Sequence, residues 1–187
     1  MLRASGLALA GFLLASASAQ AATWTIDPAQ SHLGFSGSQS GTPFSGQFGR
    51  FSGTIVFDTG NPGAGHADIT ITTASAKTGD PQKDGALPGS DWFATDKFPT
   101  ATFTAKSFKA IGAGVYEADG TLTIRGISKP LALPFTLAIA GDTAKAAGHV
   151  DLTRTEFGVG QGSWSSGQYV ALKVGVTFAV TAKKTAP

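Results

Sequence analysis

Val170, Leu172, Val174, Val176, Phe178 and Val180 put a branched or aromatic apolar side chain at every second position, and Ala171, Lys173, Gly175, Thr177 and Thr181 take the other face. A period of two is the repeat of an extended strand, and a long strand with one apolar and one polar face belongs to an antiparallel sheet. Leu131, Leu133, Phe135, Leu137 and Ile139 repeat the pattern. Pro130 and Pro134 interrupt it and, lacking an N–H, predict a strand start and an edge or bulge. Weaker alternation over 24–27, 31–36, 51–58, 66–73, 101–108, 115–124 and 145–152 brings the total to about nine strands. Turn signals separate them, among them Asp58-Thr59-Gly60-Asn61-Pro62-Gly63, Gly112-Ala113-Gly114, Asp119-Gly120 and Gly141-Asp142. The sequence has no helix-period run.

The long interruption, 74–99, contains Gly79-Asp80-Pro81, Asp84-Gly85, Pro88-Gly89 and Ser90-Asp91-Trp92-Phe93. A connection of this length in a compact domain usually has a role or a short helix of its own, so one or two helical turns are predicted here, beside a barrel mouth. Evenly spaced strands without a βαβ pattern leave an all-β sandwich and a closed barrel both open. With 187 residues, 42% hydrophobic and 14% charged, the chain suits one well-buried domain and excludes a disordered one. Gly 25 and Pro 9 predict frequent turns and short elements.

Met1-Leu2-Arg3, an apolar run from Leu7 to Ala15, and the small-residue frames Ala17-Ser18-Ala19 and Ala19-Gln20-Ala21 read as a secretory signal peptide over 1–21, cleaved near Ala19 or Ala21. The run is shorter than the roughly 20 residues a membrane-spanning helix needs. The expected mature domain, 22–187, is exported and does not span a membrane. With no cysteine it has no disulfide, thiolate metal site, lipidated cysteine or Cys nucleophile. Once Arg3 leaves with the leader, 13 basic side chains face 12 acidic ones, which gives no field for nucleic acid.

Motifs for chemistry are sparse. The sequence has no Gly-x-Ser-x-Gly, His-Glu-x-x-His or Gly-x-x-x-x-Gly-Lys. Gly158-Val159-Gly160-Gln161-Gly162 lacks the following helix that a phosphate site needs and reads as a turn or barrel bend. His32, His66 and His149 have no metal-ligand spacing, and Asp80, Asp84 and Asp91 read as loop caps before they read as an acid/base pair. The aromatics say more. Phe35, Phe48, Phe51, Phe57, Phe103, Leu122, Ile124 and Phe135 either fill a core or line a barrel that encloses an apolar ligand. Trp92, Phe93 and Phe98, clustered in a Pro/Gly-rich loop, favour something apolar to cover.

Five blocks carry a resemblance. They are Trp24-x-Ile26-Asp27-x-x-x-Ser31-x-Leu33-x-Phe35; Gly46-x-Phe48-x-x-Phe51-x-Gly53-x-Ile55-x-Phe57-Asp58; Ser90-Asp91-Trp92-Phe93 with Phe98-Pro99-x-Ala101-x-Phe103; Gly120-x-Leu122-Thr123-Ile124-Arg125-Gly126-Ile127-Ser128-Lys129-Pro130; and Arg154-x-x-Phe157-Gly158-Val159-Gly160. In order and spacing the mature chain resembles the YceI-like family of bacterial periplasmic proteins. The resemblance implies a lipocalin-like, eight-stranded antiparallel β-barrel with a long apolar cavity for an isoprenoid quinone, a polyisoprenoid or a fatty-acyl amphiphile. It implies no catalytic residue and no cofactor beyond such a lipid held as ligand, frequent homodimers, and a membrane cytochrome of the b561 type as partner. Gln30 and Ala86 stand where the family often has histidine.

On this reading the ligand contacts are Phe35, Phe48, Trp92, Phe93, Phe98, Phe103, Leu122, Ile124 and Leu133. Arg154 is the expected polar end-contact, with a salt bridge to a turn carboxylate as its structural alternative, and Asp84, Ser90, Arg125 and Lys129 are weaker headgroup candidates. Strands of about 10 residues tilted by about 40° make a barrel roughly 25 Å tall, the length of a chain of sixteen to twenty carbons. Burying sixteen carbons is worth roughly 13 kcal/mol gross. Two other readings stay open: an accessory subunit with a dry core, and an enzyme acting on a lipid, in which His32 or Asp91 would point inward.

Overall fold

The computed structural model describes residues 21–185; the expected leader falls outside the described residues apart from Ala21. Eleven strand segments form one sheet, and the sheet closes. β1 (Ala22–Ile26) and β2 (His32–Gln39) are two halves of one stave. The same long strand, β11 (Lys173–Lys184), pairs with β1 through Ala182–Lys184 and with β2 through Gly175–Ala179. Between the halves the Asp27 carboxylate accepts from Ala29 N, and Ser31 Oγ accepts from Thr181 N at 3.0 Å while donating to the Asp27 carbonyl at 2.7 Å. This is why Asp27 and Ser31 stand four apart: the hydroxyl replaces the ladder partner that the break removes.

β3 (Thr42–Phe48) and β4 (Phe51–Phe57) make the second stave, β5 (His66–Thr72) and β6 (Ala76–Lys77) the third. β7 (Thr100–Gly112), β8 (Val115–Ile124), β9 (Ile127–Ala140), β10 (Thr143–Thr153) and β11 complete eight. Every stave runs antiparallel to the next, and the last pairs with the first. The fold is a closed, eight-stranded, up-and-down antiparallel barrel, in which β6 and the neighbouring part of β3 keep a short open edge. Among the described residues, no helix is long and apolar enough to cross a membrane.

The chain differs from the sequence reading in three places. β3 was not expected: Phe44, Gly46 and Phe48 do alternate with Pro43, Ser45 and Gln47, but one proline and one glycine in seven residues mute the period. β9 starts at Ile127, ahead of Pro130, after a two-residue turn in which Arg125 (φ 52°) and Gly126 (φ 74°) are both left-handed, as a type I′ hairpin requires. That turn makes Ile124 and Ile127 a hydrogen-bonded pair, so by alternation Pro130 and Pro134 fall at non-hydrogen-bonded positions on β8, and β10 registers only with Phe135–Ala140. The prolines therefore sit where no ladder N–H is needed. β11 begins at Lys173, since the carbonyls of Val170, Ala171 and Leu172 are turned to Arg154.

The two ends of the barrel are unlike. One is closed by the short turns 58–65, 113–114 and 141–142 over an aromatic plug, in which Phe57 stands edge-on to Phe108 (5.2 Å) and Tyr116 (5.1 Å). The other carries both long connections, 78–99 and 154–172. The expected helical segment is there as α1 (Pro81–Ala86), started by Pro81 and capped by Asp80, which accepts from Gln82 N and Lys83 N.

Candidate ligand cavity

Thirty residues line a cavity of about 240 Å³ that runs from Phe57 near the plug to Phe48 and Phe93 under the long connections. All thirty side chains are Ala, Val, Leu, Ile or Phe except Trp24. Two features keep the interior unfilled. Ala67, Ala101, Ala118, Ala144, Ala146 and Ala182 give the wall short side chains. Large ones lie flat against the wall over glycines on the neighbouring strand. A Cβ on Gly46 would stand 2.3 Å from the Phe35 ring, one on Gly53 2.4 Å from Ile69, one on Gly148 2.5 Å from the Phe178 ring, and one on Gly120 2.7 Å from the Phe103 ring. Gly46, Gly53 and Gly148 face Phe35, Ile69 and Phe178 directly across the ladder. Val176, Phe178 and Val180 point inward yet stay half-buried, because open space lies in front of them. At about 24 cal/mol per Å³, such a void costs on the order of 6 kcal/mol of core packing. A structural core would have closed it.

The far end is lidded by the two long connections, which hold each other. Gly160 N and Gln161 N both donate to the Asp91 carbonyl, at 2.7 and 2.8 Å, and the Trp92 and Trp164 rings lie 5.7 Å apart. Arg154, 4% exposed, is the pin. Its Nε donates to Ala171 O (2.9 Å), Nη1 to Val159 O (2.8 Å) and Gly160 O (3.3 Å), and Nη2 to Val170 O (2.7 Å) and Trp164 O. All five N–H donors of the guanidinium are thus used on backbone carbonyls. Its face packs on Trp92, 5.5 Å from the ring centre. Burial lowers its pKa, but a guanidinium stays charged. Arg125 pins the other edge, donating from Nη1 to Ser90 O (2.7 Å) and to Trp92 O while lying over the Phe98 ring.

Of the ten residues expected to touch a ligand, Phe48, Phe93, Phe103, Leu122, Ile124 and Leu133 line the cavity. Phe35 does not; its ring covers Gly46 and packs on Phe48 at 5.3 Å. Trp92 and Phe98 face the arginines of the lid. Arg154 has no salt bridge among the described residues, and backbone carbonyls take its whole donor set. Of the other headgroup candidates, Asp84 accepts from Thr78 N (2.6 Å) and Thr78 Oγ1 (2.8 Å), and Arg125 donates to the Ser90 carbonyl, all within the lid; Lys129, opposite Leu122 in the ladder, is half-buried and does not line the cavity. His32 and Asp91 are exposed and do not line the cavity. Among the described residues, no group of three His, Asp or Glu side chains could hold a metal ion.

Trp24 was missed as a lining residue, as were Leu131, Leu137, Val176, Phe178 and Val180. For all but Trp24 the signal was present, since the two clearest period-two runs supply them.

The profile of the YceI-like domain matches residues 24–182. The chain belongs to the YceI-like family. Protein YceI of Escherichia coli is 36% identical over 146 residues, 73% of each chain. Among solved structures, Burkholderia cenocepacia BcnA superposes with a TM-score of 0.81 at 32% identity, over 84% of this chain and 99% of its own. A polyisoprenoid-binding domain from Saccharophagus degradans shares the fold at a TM-score of 0.70 and 16% identity, over 89% of this chain and all of its own.

Proposed function

We propose that this YceI-like barrel is a periplasmic binding protein that holds one apolar chain, an isoprenoid quinone, a polyisoprenoid or a fatty-acyl amphiphile, along its axis. The observation that carries the reading is the cavity itself: thirty lining residues without a charged side chain, around space the sequence keeps open with alanines and glycines. Such a wall offers a ligand burial and little else, so affinity should scale with the length of tail removed from water. The polyisoprenoid-binding domain of Saccharophagus degradans, with the same fold, supports this class of ligand. Residues 1–21 would direct export and leave.

The test is a homologous series of acyl or prenyl chains. Affinity should rise about fourfold per added methylene and level off near the length of the barrel. A flat series would overturn the reading. If ubiquinone and fatty acids also failed to bind, a dry accessory subunit for a b561-type membrane cytochrome would become the better account.

A further inference from the structure

The ladder between β9 and β10 stops half-way. Residues 135–140 pair with 143–148, and among the described residues no main-chain hydrogen bond joins 127–134 to 149–153. The sequence keeps this seam open. By alternation from the pair Ala140 and Thr143, which flanks a two-residue turn, Ser128, Pro130, Ala132 and Pro134 turn their main-chain groups toward β10, and two of these four have no N–H. Continuing the register would set Ala132 opposite Asp151, where both could donate and accept, yet these two are also unpaired. The seam runs over about four residue rows, roughly 13 Å. Leu131 and Leu133 on one side and Val150 and Leu152 on the other are half-buried and line the cavity. Beyond β10, Phe157 is buried in the cluster against which Leu131 and Leu152 pack. Side-chain packing, without a ladder, closes the wall here.

Resting on the cavity-binding reading above, we infer that the seam between β9 and β10 is the gate through which an apolar chain enters and leaves, while the lid stays pinned. Parting the seam breaks no main-chain hydrogen bond and uncovers hydrocarbon that the incoming chain covers again. The other routes are barred more firmly. Lifting the lid strands the five carbonyls held by Arg154 and parts Gly160 N and Gln161 N from the Asp91 carbonyl. At the other end the rings of Phe57, Phe108 and Tyr116 interlock. Of the strands at the open edge, β3 and β6, only Phe48 lines the cavity.

The sequence has no cysteine, so a pair placed across the seam supplies the only thiols. Ala132→Cys with Asp151→Cys uses two exposed positions outside the cavity, and the reduced form of the same protein is the reference. The probe is cis-parinaric acid, followed by stopped-flow fluorescence. Closing the disulfide should slow its association and dissociation together by at least about tenfold and leave the dissociation constant within about twofold, because a gate sets the barrier and not the end states. Where the thiols lie too far apart to join, a bis-maleimidoethane bridge across the same pair takes the place of the disulfide. A second variant, Pro130→Thr with Pro134→Thr, returns both missing donors and should slow both rates in the same way. It should also protect the amides of His149, Asp151 and Thr153, which in the unaltered protein should exchange at least about tenfold faster than those of Lys145 and Ala147. Unchanged rates with the seam cross-linked would overturn the inference, as would seam amides in the unaltered protein as protected as Lys145 and Ala147. Failure of the probe to bind even the reduced protein defeats the cavity-binding reading, and the gate with it.

Discussion

A Cβ on Gly160 would stand 1.8 Å from Arg154 Nη1, closer than any two such atoms can approach. Gly160 (φ +83°) is also in the left-handed region, so two independent constraints exclude a side chain at this position. The close approach turns the Gly160 carbonyl onto the guanidinium and lets the 154–172 connection wrap it. Both residues therefore belong to the lid, and their worth is structural.

Arg154→Lys should be a severe substitution. Lysine offers three donors to a cradle of five carbonyls and cannot stack flat on Trp92. Arg154→Ala leaves the carbonyls of Val159, Gly160, Trp164, Val170 and Ala171 without their partner and should cost about 3 kcal/mol or more. Urea unfolding checks both. Loss of ligand affinity with unchanged stability would instead return Arg154 to the role of a ligand contact.

Arg125→Ala should leave the barrel folded and loosen the 90–92 segment it holds through Ser90 O and Trp92 O. Arg125 is only partly buried, so the stability cost should stay near 1 kcal/mol, while amide exchange at the lid and the ligand off-rate both increase. Hydrogen exchange read segment by segment separates a loosened lid from a loosened barrel.

Ala146→Phe tests whether the open space is what binds. Ala146 lines the cavity and is half-buried against it, so a phenyl ring there has room to enter. Thermal stability should hold or rise as the void fills, while affinity for a sixteen-carbon chain falls at least about tenfold. A large loss of stability would mean that the wall is already close-packed at that point.

The Asp84 carboxyl titrates below its ordinary value of 3.8, chiefly because Thr78 N donates to the ionised form. A pKa lower in the folded state than in the unfolded one adds stability above the unfolded value and loses it as pH falls through the folded one. Asp84→Asn should therefore lower stability at neutral pH and have little effect in acid, below the folded-state value. Equal effects at both pH values would show that the contact does not depend on charge.

How legible the molecule was in its sequence depends on which force set each part. Alternation in 131–139 and 174–180 placed the barrel wall, because side-chain direction in a strand follows parity. Parity also placed Phe103, Leu122, Ile124 and Leu133 inside, whereas Phe48 lies on β3, whose alternation is muted. It could not see that Phe35 turns aside over Gly46, which depends on a glycine one strand away. Nor could it see the fate of Arg154, whose five partners are backbone oxygens and carry no sequence signature.

Native mass spectrometry of the protein, purified from its own organism without detergent, tests the central claim most directly. The account predicts one lipid per barrel, released by organic extraction and identified as a prenyl or acyl species. A bare polypeptide mass that stays bare after incubation with ubiquinone and fatty acids would contradict it.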